Sequence, residues 1–177
     1  VHLAGENVGG LRWTDEKKQR IRDSRIVSAR LLVDACRDAE KRPAVFVGGS
    51  AIGIYGDRAP SEEITEGAAL GDDFLARVVK DWESATAKAE ALGIRTVRLR
   101  IGVVLDLEGG ALKEMLLPFR MHAGGPIGDG RQVMAWIHHE DMVQLLLLAL
   151  DDDRVEGAVN AVEVLADVFE HQHVARQ

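Results

Sequence analysis

The chain has 177 residues, of which 46% are hydrophobic and 29% are charged, a balance that excludes a disordered protein and fits one globular domain with its own core. Its formal net charge of −7 disfavours nonspecific nucleic-acid binding. The single cysteine, Cys36, excludes an intrachain disulfide and favours a reducing compartment, which we expect to be the cytoplasm.

The first part of the chain alternates apolar runs with a long amphipathic segment. Val1 to Ala4 has the pattern of the end of a buried strand, and a glycine-rich turn, Gly5 to Gly10, follows it. Thr14 is placed as an N-cap, and the helix after it extends to about Glu40. The run at 44–47 predicts a fully buried parallel strand. The apolar helix positions that fall broadly on one face are Ile21, Val27, Leu31, Leu32, Ala35 and Cys36.

The rest of the chain repeats the alternation. A helix from about Asp73 to Leu92 ends at Gly93, a natural C-cap. The further predicted elements are a strand at 94–104, a helix at 110–121, a strand at 134–137, a helix at 140–150 and a strand at 158–162. This order predicts βαβ units and a parallel sheet, which binds ligands beyond the carboxyl ends of its strands. We therefore expect a site after Ala4, Val47 or Ile101.

Several segments, taken in this order, resemble one family. They are Val1 to Asn7, Ser50 to Asp57, Gly71 to Leu75 with Asp81 to Glu83, Arg98 to Leu105, and Gly124 to Gln132 with Trp136 to His138. The chain resembles the extended short-chain dehydrogenases/reductases, and within them a subfamily of NAD(P)-dependent epimerase/dehydratase-like proteins, some with an old label of cell-division inhibitor. The resemblance implies an α/β fold, a Rossmann-like doubly wound parallel sheet whose first strands would lie before Val1.

The same resemblance divides the chain. It implies a partial NAD(P)-binding Rossmann-like domain at 1–161, a substrate-side loop at 123–137, and a divergent or truncated tail at 162–177. The family's Gly-x-x-Gly-x-x-Gly turn, whose backbone approaches the pyrophosphate, does not occur here before a strand–helix unit. We therefore expect a fragment without the phosphate-binding loop, with weak or no cofactor affinity alone, and poorly soluble because an apolar sheet edge is exposed.

The catalytic couple of the wider family is also absent. There a tyrosine acts as acid and base, and a lysine four residues later lowers the tyrosine pKa. The only tyrosine, Tyr55, is followed four residues later by Ala59, and Phe74 and Val78 stand where the couple is expected. Two hypotheses stay open: an oxidoreductase or epimerase activity of the full-length parent, which we favour, and a non-catalytic NAD(P)-binding sensor or interaction module.

Candidate site residues follow the strand ends. By resemblance, Ser50 bonds a substrate or nicotinamide group and Tyr55 presents its hydroxyl to the pocket; a loop cap and an aromatic packed on the sheet are the alternatives. Arg100 is suited to hold a phosphate or an acidic side chain, and a solvent-facing stripe of arginines is the alternative. The cofactor contacts that the resemblance implies are Ala4, Gly5, Glu6, Ser24, Arg25, Gly49, Arg100 and Gly102. A plain βα turn is the alternative for Gly5 and Glu6, and a solvated helix position is the alternative that we favour for Ser24 and Arg25.

The expected ligands follow from the same resemblance. It implies NADP as the cofactor, with NAD as the alternative, and a small-molecule substrate of the nucleotide-linked kind. No run approaches the roughly 20 apolar residues that a membrane span needs. His138, His139, Glu140 and Asp141 are adjacent in sequence and therefore point in different directions, so we expect no metal site.

Overall fold

A computed structural model describes residues 1–9, 12–59, 61–125, 130 and 133–163. Most of the predicted tail and part of the substrate-side loop lie outside these residues. The helices are α1 (Asp15–Asp38), α2 (Phe74–Ala87), α3 (Gly110–Arg120) and α4 (His139–Asp151). The strands are β1 (Val45–Ala51), β2 (Arg95–Ile101), β3 (Val103–Leu105), β4 (Trp136–His138) and β5 (Gly157–Ala161).

The main sheet is parallel and has the strand order β1-β2-β5. His2 forms a parallel bridge to the free side of β1, with 2.8 Å hydrogen bonds from its N–H to Val47 O and from Gly49 N–H to its own oxygen. Strands β3 and β4 form a second parallel pair. The predicted parallel architecture is therefore confirmed.

Helices cover both faces of the main sheet. The core on the α4 face contains Val47, Val97, Leu99, Ile137, Met142, Ala149 and Ala161. On the opposite face, α1 and α2 pack through Ile26, Ala29, Trp82 and Ala85, and a neighbouring cluster joins Val33, Phe46, Ala89 and Ile94. Layers of helix on both sides of a parallel sheet are the doubly wound arrangement that the sequence predicts.

Helix α1 begins as predicted but buries a different face. Thr14 Oγ1 accepts a hydrogen bond from the Lys17 N–H at 3.2 Å. The predicted face was right at Ile21, which is buried, and at Cys36, which is half-buried, but wrong at Val27, Leu31 and Leu32, which are 47%, 65% and 40% exposed. The buried residues are Ile21, Ile26, Ala29 and Val33. The small Ala29 permits close packing on α2, so the helix is rotated by about one residue from the face that the larger leucines favour.

Strand β1 extends four residues beyond the predicted end at Val47. Two glycines allow this, because α2 lies close to the sheet. A Cβ on Gly48 would lie 2.7 Å from Thr86 Cγ2, and one on Gly49 would lie 3.1 Å from the Trp82 ring. Ser50 is therefore inside the strand rather than in the loop after it.

The strand predicted at 94–104 is broken in two at Gly102. A Cβ at Gly102 would lie 2.8 Å from the oxygen of Ala135, so a side chain there would collide with the backbone entering β4. The predicted second helix is also shorter, since α2 ends at Ala87 and a 3₁₀ helix, Glu90–Leu92, follows. Gly93 takes a left-handed conformation with φ 75°, as its predicted C-cap position requires. No helix in the described ranges is long and apolar enough to cross a membrane.

Candidate functional site

Three polar side chains form a row across the main sheet, one from each strand. Ser50 of β1 is in register with Arg100 of β2, and Arg100 is in register with Asn160 of β5. Each is the next-to-last residue of its strand, so the row lies at the carboxyl end of the sheet. Ser50 and Arg100 are 3% and 5% exposed. This is the end at which doubly wound sheets bind ligands.

Glu83 of α2 joins two members of this strand-end row. Ser50 Oγ donates to Glu83 Oε1 at 2.5 Å, while Arg100 donates from Nε to Oε1 at 2.9 Å and from Nη2 to Oε2 at 3.0 Å. The hydrogen bonds to Glu83 raise the pKa of Arg100 above its ordinary value, against the opposite effect of burial. Because a carboxylate oxygen only accepts, the one hydroxyl hydrogen of Ser50 is committed to Glu83.

Tyr55 binds the other side of the Arg100 guanidinium. Its hydroxyl accepts from Arg100 Nη1 at 2.7 Å and donates to Asn160 Oδ1 at 2.7 Å. The guanidinium carbon also lies 5.2 Å from the centre of the tyrosine ring. The structure therefore links both predicted catalytic residues to Arg100, Tyr55 directly and Ser50 through Glu83, and the hydroxyl hydrogen of each already has an acceptor.

A mostly exposed segment, residues 61–70, is hydrogen-bonded to the row through Glu66. Arg100 Nη1 donates to the main-chain oxygen of Glu66 at 2.9 Å, and the Asn160 N–H donates to the carboxylate oxygen Glu66 Oε1 at 2.8 Å. Asn160 Nδ2 donates to the oxygen of Ile64 at 3.3 Å. The Asn160 N–H stabilises the ionised carboxylate and so lowers the pKa of Glu66 below its ordinary value of 4.5.

A second polar cluster contains three of the residues predicted to contact a cofactor. The Glu6 N–H donates to Ser24 Oγ at 2.9 Å, and Arg25 Nη1 donates to the main-chain oxygen of Glu6 at 3.1 Å. The Glu6 carboxylate lies 2.7 Å from Lys17 Nζ, which lowers its pKa. Arg25 is half-buried, and this burial lowers its pKa.

The Arg25 guanidinium connects this cluster to the sheet. It lies 5.4 Å from the centre of the Trp82 ring, and that ring also contacts Gly49 of β1. A Cβ at Gly5 would lie 3.0 Å from the Arg25 guanidinium carbon, so glycine permits this packing. Glu6, Ser24, Arg25 and their neighbour Gly5 therefore lie together.

The remaining predicted contacts are placed elsewhere. Ala4 is exposed beside Gly5. Gly102 lies against the backbone of Ala135. Arg100 belongs to the strand-end row, where it donates to Glu83, Tyr55 and Glu66, and the predicted alternative of a solvent-facing stripe is wrong for this residue.

The histidines near α4 have local partners. His138 Nδ1 accepts from the Glu140 N–H at 3.3 Å as the N-cap, and His139 Nδ1 lies 3.5 Å from Asp106 Oδ2. Within the described ranges, no three histidine, cysteine, aspartate or glutamate residues are grouped to hold a metal ion.

A depression of about 430 Å³ lies at the opposite, amino-terminal end of β2, away from this chemistry. Arg98 and Glu90 form a 2.9 Å ion pair at its wall. The wall of this depression carries residues of both charges, and none of them belongs to the strand-end row.

A model of the family described as NAD dependent epimerase/dehydratase matches residues 1–162. The chain belongs to the NAD-dependent epimerase/dehydratase family. This epimerase-family chain is 39% identical over 160 residues to the epimerase family protein YfhF of Bacillus subtilis, covering 90% of this chain and 52% of that protein. It therefore spans about half the length of the curated relatives it matches.

Two solved structures of similar proteins also match this epimerase-family chain. The crystal structure of human epimerase family protein SDR39U1 (isoform 2) with NADPH has a TM-score of 0.82 at 36% identity, covering 90% of this chain and 55% of that one. The nucleoside-diphosphate sugar epimerase from Corynebacterium glutamicum has a TM-score of 0.76 at 35% identity, covering 86% and 33%.

Sequence reasoning missed three members of the site in this epimerase-family chain. Glu83, Glu66 and Asn160 were not predicted as site residues, although each bonds Arg100 or Tyr55. Two of them carry a recognisable signal. Glu83 lies four residues after the buried Val79 on an otherwise apolar face of α2, and Asn160 interrupts the apolar β5. A polar residue at a core position needs a partner.

Proposed function

We propose that this chain supplies the strand-end part of a NAD(P)-dependent oxidoreductase or epimerase site for a small, nucleotide-linked substrate. The row of Ser50, Arg100 and Asn160 at the carboxyl end of a parallel sheet carries the proposal. The human relative whose structure contains NADPH supports NADP(H) as the cofactor, with NAD as the alternative. The net charge of −7 argues against nucleic acid as a partner, and the single cysteine supports a cytoplasmic location.

The described residues fit one part of such a cofactor better than the other. Backbone and side-chain groups beside the sheet suit ribose hydroxyl and carboxamide groups. A pyrophosphate fits poorly at the N-termini of α1, α2 and α4, because the side chains of their N-cap residues Thr14, Asp73 and His138 already accept from first-turn N–H groups. The N-terminus of α3, with Gly109 as its N-cap, has no such side-chain contact. When bound, NADP(H) supplies hydride exchange at its nicotinamide. We assign to its cradle Ala4, Gly5, Glu6, Ser24, Arg25, Gly49 and Gly102.

Arg100 has a different role in the proposal. Its guanidinium is almost fully buried and donates to Glu83, Tyr55 and Glu66. We therefore assign it as a positioning residue that orients Ser50 through Glu83, rather than as a direct contact of the cofactor.

The direction of the Ser50 hydrogen bond suggests how a proton moves. A ligand hydroxyl can donate to Ser50 Oγ, because the serine hydrogen already points to Glu83. As the ligand O–H bond breaks, its proton binds Ser50 Oγ, and the serine proton binds Glu83 Oε1. The negative charge of the carboxylate passes to the ligand oxygen in this exchange, and Arg100 holds Glu83 in place.

The second candidate is a non-catalytic NAD(P)-binding sensor or interaction module. It is favoured by the absence of the tyrosine–lysine couple, since Phe74 and Val78 stand at that place and Val78 is 3% exposed. The burial of Ser50 and Tyr55, each 3% exposed, favours it as well.

One experiment separates the two candidates. The chain is joined to the part of the Bacillus subtilis relative that lies outside the match, and NADPH binding is titrated by calorimetry. We expect saturable binding that is clearly tighter than that of the 177-residue chain alone. The loaded protein is then incubated with a panel of nucleotide sugars and NADP⁺, and with their keto forms and NADPH. A change in nicotinamide absorbance supports an oxidoreductase, and conversion of a sugar to its epimer, measured by chromatography, supports an epimerase, which returns the hydride and leaves no net change in the cofactor.

Matched serine variants sharpen this test. Ser50→Ala should keep NADPH affinity and slow turnover by about 10²-fold or more, since it removes the group that relays the proton. Ser61→Ala, at an exposed serine, should leave both quantities unchanged. Absence of NADPH binding would overturn the proposal, whereas binding without turnover across the panel would favour the sensor.

A further inference from the structure

Residues 61–70, here called the strap, form a mostly exposed segment that packs beside the site residue Tyr55. The two half-buried side chains of the strap, Ile64 and Ala68, lie against a buried apolar cluster that contains Tyr55. Tyr55 itself is 3% exposed. The strap therefore shields part of the surface through which solvent would otherwise reach this tyrosine.

The strap and the Tyr55 hydroxyl share their polar partners. Arg100 Nη1 donates to the Tyr55 hydroxyl at 2.7 Å and to the main-chain oxygen of Glu66 at 2.9 Å. Asn160 Oδ1 accepts from the Tyr55 hydroxyl at 2.7 Å, and Asn160 Nδ2 donates to the main-chain oxygen of Ile64 at 3.3 Å. The Asn160 N–H donates to the Glu66 carboxylate at 2.8 Å. The strap is thus bonded to the same two residues that bind the tyrosine hydroxyl.

The attachment of the strap is light. Residues 61–70 belong to no helix or strand. In the described part of the chain, the backbone N–H groups of the strap that donate to backbone oxygens do so locally, from Glu62 to Ala59 and from Ala68 to Thr65, both at 3.0 Å. Segments with few buried apolar contacts and little regular structure open locally at low cost in free energy.

The base of the strap is fixed independently of its middle. The Gly71 N–H donates to the oxygen of Ile54 at 2.9 Å, and a Cβ on Gly71 would lie 2.7 Å from the Gly56 backbone. Arg58 Nε donates to the main-chain oxygen of Tyr55 at 3.0 Å. Surface loops whose ends are held together in this way are often functional. The middle of the strap can therefore move while its base stays in place.

Movement of the strap would leave the strand-end row intact. Arg100 keeps its hydrogen bonds to Glu83 and to Tyr55, and Asn160 Oδ1 keeps its bond to the Tyr55 hydroxyl. The tyrosine therefore retains its orientation when its cover is removed.

We propose that the strap opens and closes over Tyr55, and that dissolved molecules reach this tyrosine only when the strap is open. The ligand admitted in this way would be the substrate of the proposed function, and that part rests on the proposed function. The opening itself does not rest on it, because its test uses neither cofactor nor turnover. Burial of Tyr55 in the closed form then no longer argues against a catalytic role.

Tyr55 is the only tyrosine in the chain, so nitrotyrosine absorbance after treatment with tetranitromethane measures the exposure of this residue alone. We expect slow nitration of the folded, unchanged chain. Glu66→Ala removes the contact between the strap and the Asn160 N–H, and should speed nitration about two- to fivefold. Glu63→Ala removes an exposed glutamate from the same strap and changes the net charge equally, so it should match the unchanged chain.

Gly48→Ala separates opening of the strap from unfolding of the whole chain. It should destabilise the fold through a collision with Thr86, which lies on α2 rather than on the strap. For local opening, we expect its nitration rate to stay within about twofold of the unchanged chain, and the rate to be nearly independent of urea below the unfolding transition.

Three results would overturn the proposal. The first is a nitration rate that rises, in Gly48→Ala or with urea, by the same factor as the unfolded fraction, because Tyr55 would then be reached only through global unfolding. The second is equal rates in Glu66→Ala and Glu63→Ala. The third is the absence of nitration in the folded chain.

Discussion

Among single residues, Glu83 has the largest expected effect on stability, because it accepts hydrogen bonds from both Ser50 and Arg100. The side chains of Arg100 and Glu83 are 6% and 12% exposed. Removing one partner of a buried ion pair leaves the other charge without compensation, which costs about 3–5 kcal/mol. The ion pair between Arg100 and Glu83 therefore fixes the positions of the side chains in the site.

We expect Glu83→Gln, which keeps the side-chain shape and removes the charge, to lower the free energy of unfolding by about 3 kcal/mol or more. Urea unfolding followed by tryptophan fluorescence measures it. Glu62→Gln is the control: this exposed glutamate pairs with Arg58 at 3.1 Å, and its loss should cost less than about 1 kcal/mol. A loss at Glu83 no larger than that of the control would contradict a structural role for the pair.

The sequence predicts single site residues but not the contacts between them. Ser50, Tyr55 and Arg100 were selected separately, from strand ends and from a family resemblance. Tyr55 bonds Arg100 directly and Ser50 is linked to it through Glu83, and this arrangement depends on the register of β1 against β2, which places Ser50 opposite Arg100. A sequence with no turn linking the two strands does not fix that register.

At the scale of elements, the close approach of α2 to β1 determines the shape of the site. Gly48 and Gly49 lie inside a strand, where glycine is ordinarily unfavourable. Their missing side chains provide room for Thr86 and Trp82 of α2. The same helix carries Glu83, so the approach that the glycines permit also places Glu83 within reach of the strand ends.

Gly48→Ala should therefore be destabilising. Its Cβ would lie 2.7 Å from Thr86 Cγ2, and Thr86 is fully buried, so we expect a loss of about 1–3 kcal/mol in the free energy of unfolding. Thr86→Ser removes the colliding methyl group and should reduce the cost of Gly48→Ala in a double-mutant cycle. Urea titrations of the four proteins measure the coupling.

Gly53→Ala is the control for this prediction, because a Cβ there meets no atom within 4 Å. It should change stability by less than about 0.5 kcal/mol. Equal effects at Gly48 and Gly53 would show that α2 lies farther from β1 than described.

The element boundaries were predicted well where a local signal sets them. Thr14 and Gly93 act at the predicted ends because capping and left-handed φ are properties of a few neighbouring residues. The face of α1 was predicted wrongly in its middle, since Leu31 and Leu32 are larger and more apolar than the buried Ala29. Which face a helix buries depends on the shape of its partner, and that information is distant in the sequence.

For the molecule as a whole, the order of elements was enough to predict βαβ units and a parallel sheet, because right-handed crossovers leave few alternatives, and the family resemblance supplied the doubly wound arrangement. Poor solubility stays a prediction, and the described residues include large apolar side chains on the surface. Leu31, Leu117 and Phe119 are 65%, 55% and 58% exposed. Exposed apolar surface of this kind promotes association.

The stability of the whole chain at acidic pH should depend on the ionisation of Glu66. The Asn160 N–H lowers the pKa of Glu66 in the folded state below 4.5, so folding favours the ionised carboxylate. This contribution is complete above the unfolded pKa, and it is lost as the pH falls through the lower folded pKa. Because Glu66 is exposed, we expect less than about 1 kcal/mol.

We therefore expect Glu66→Gln to be less stable than the unchanged chain at neutral pH, with the difference shrinking as the pH falls below 4.5. Urea unfolding at a series of pH values measures the difference. Glu63→Gln changes the net charge of −7 by the same amount without removing this contact, so it corrects for general charge repulsion in an acidic chain. A difference between the two variants that stays constant with pH would mean that the Asn160 amide does not stabilise the ionised form of Glu66.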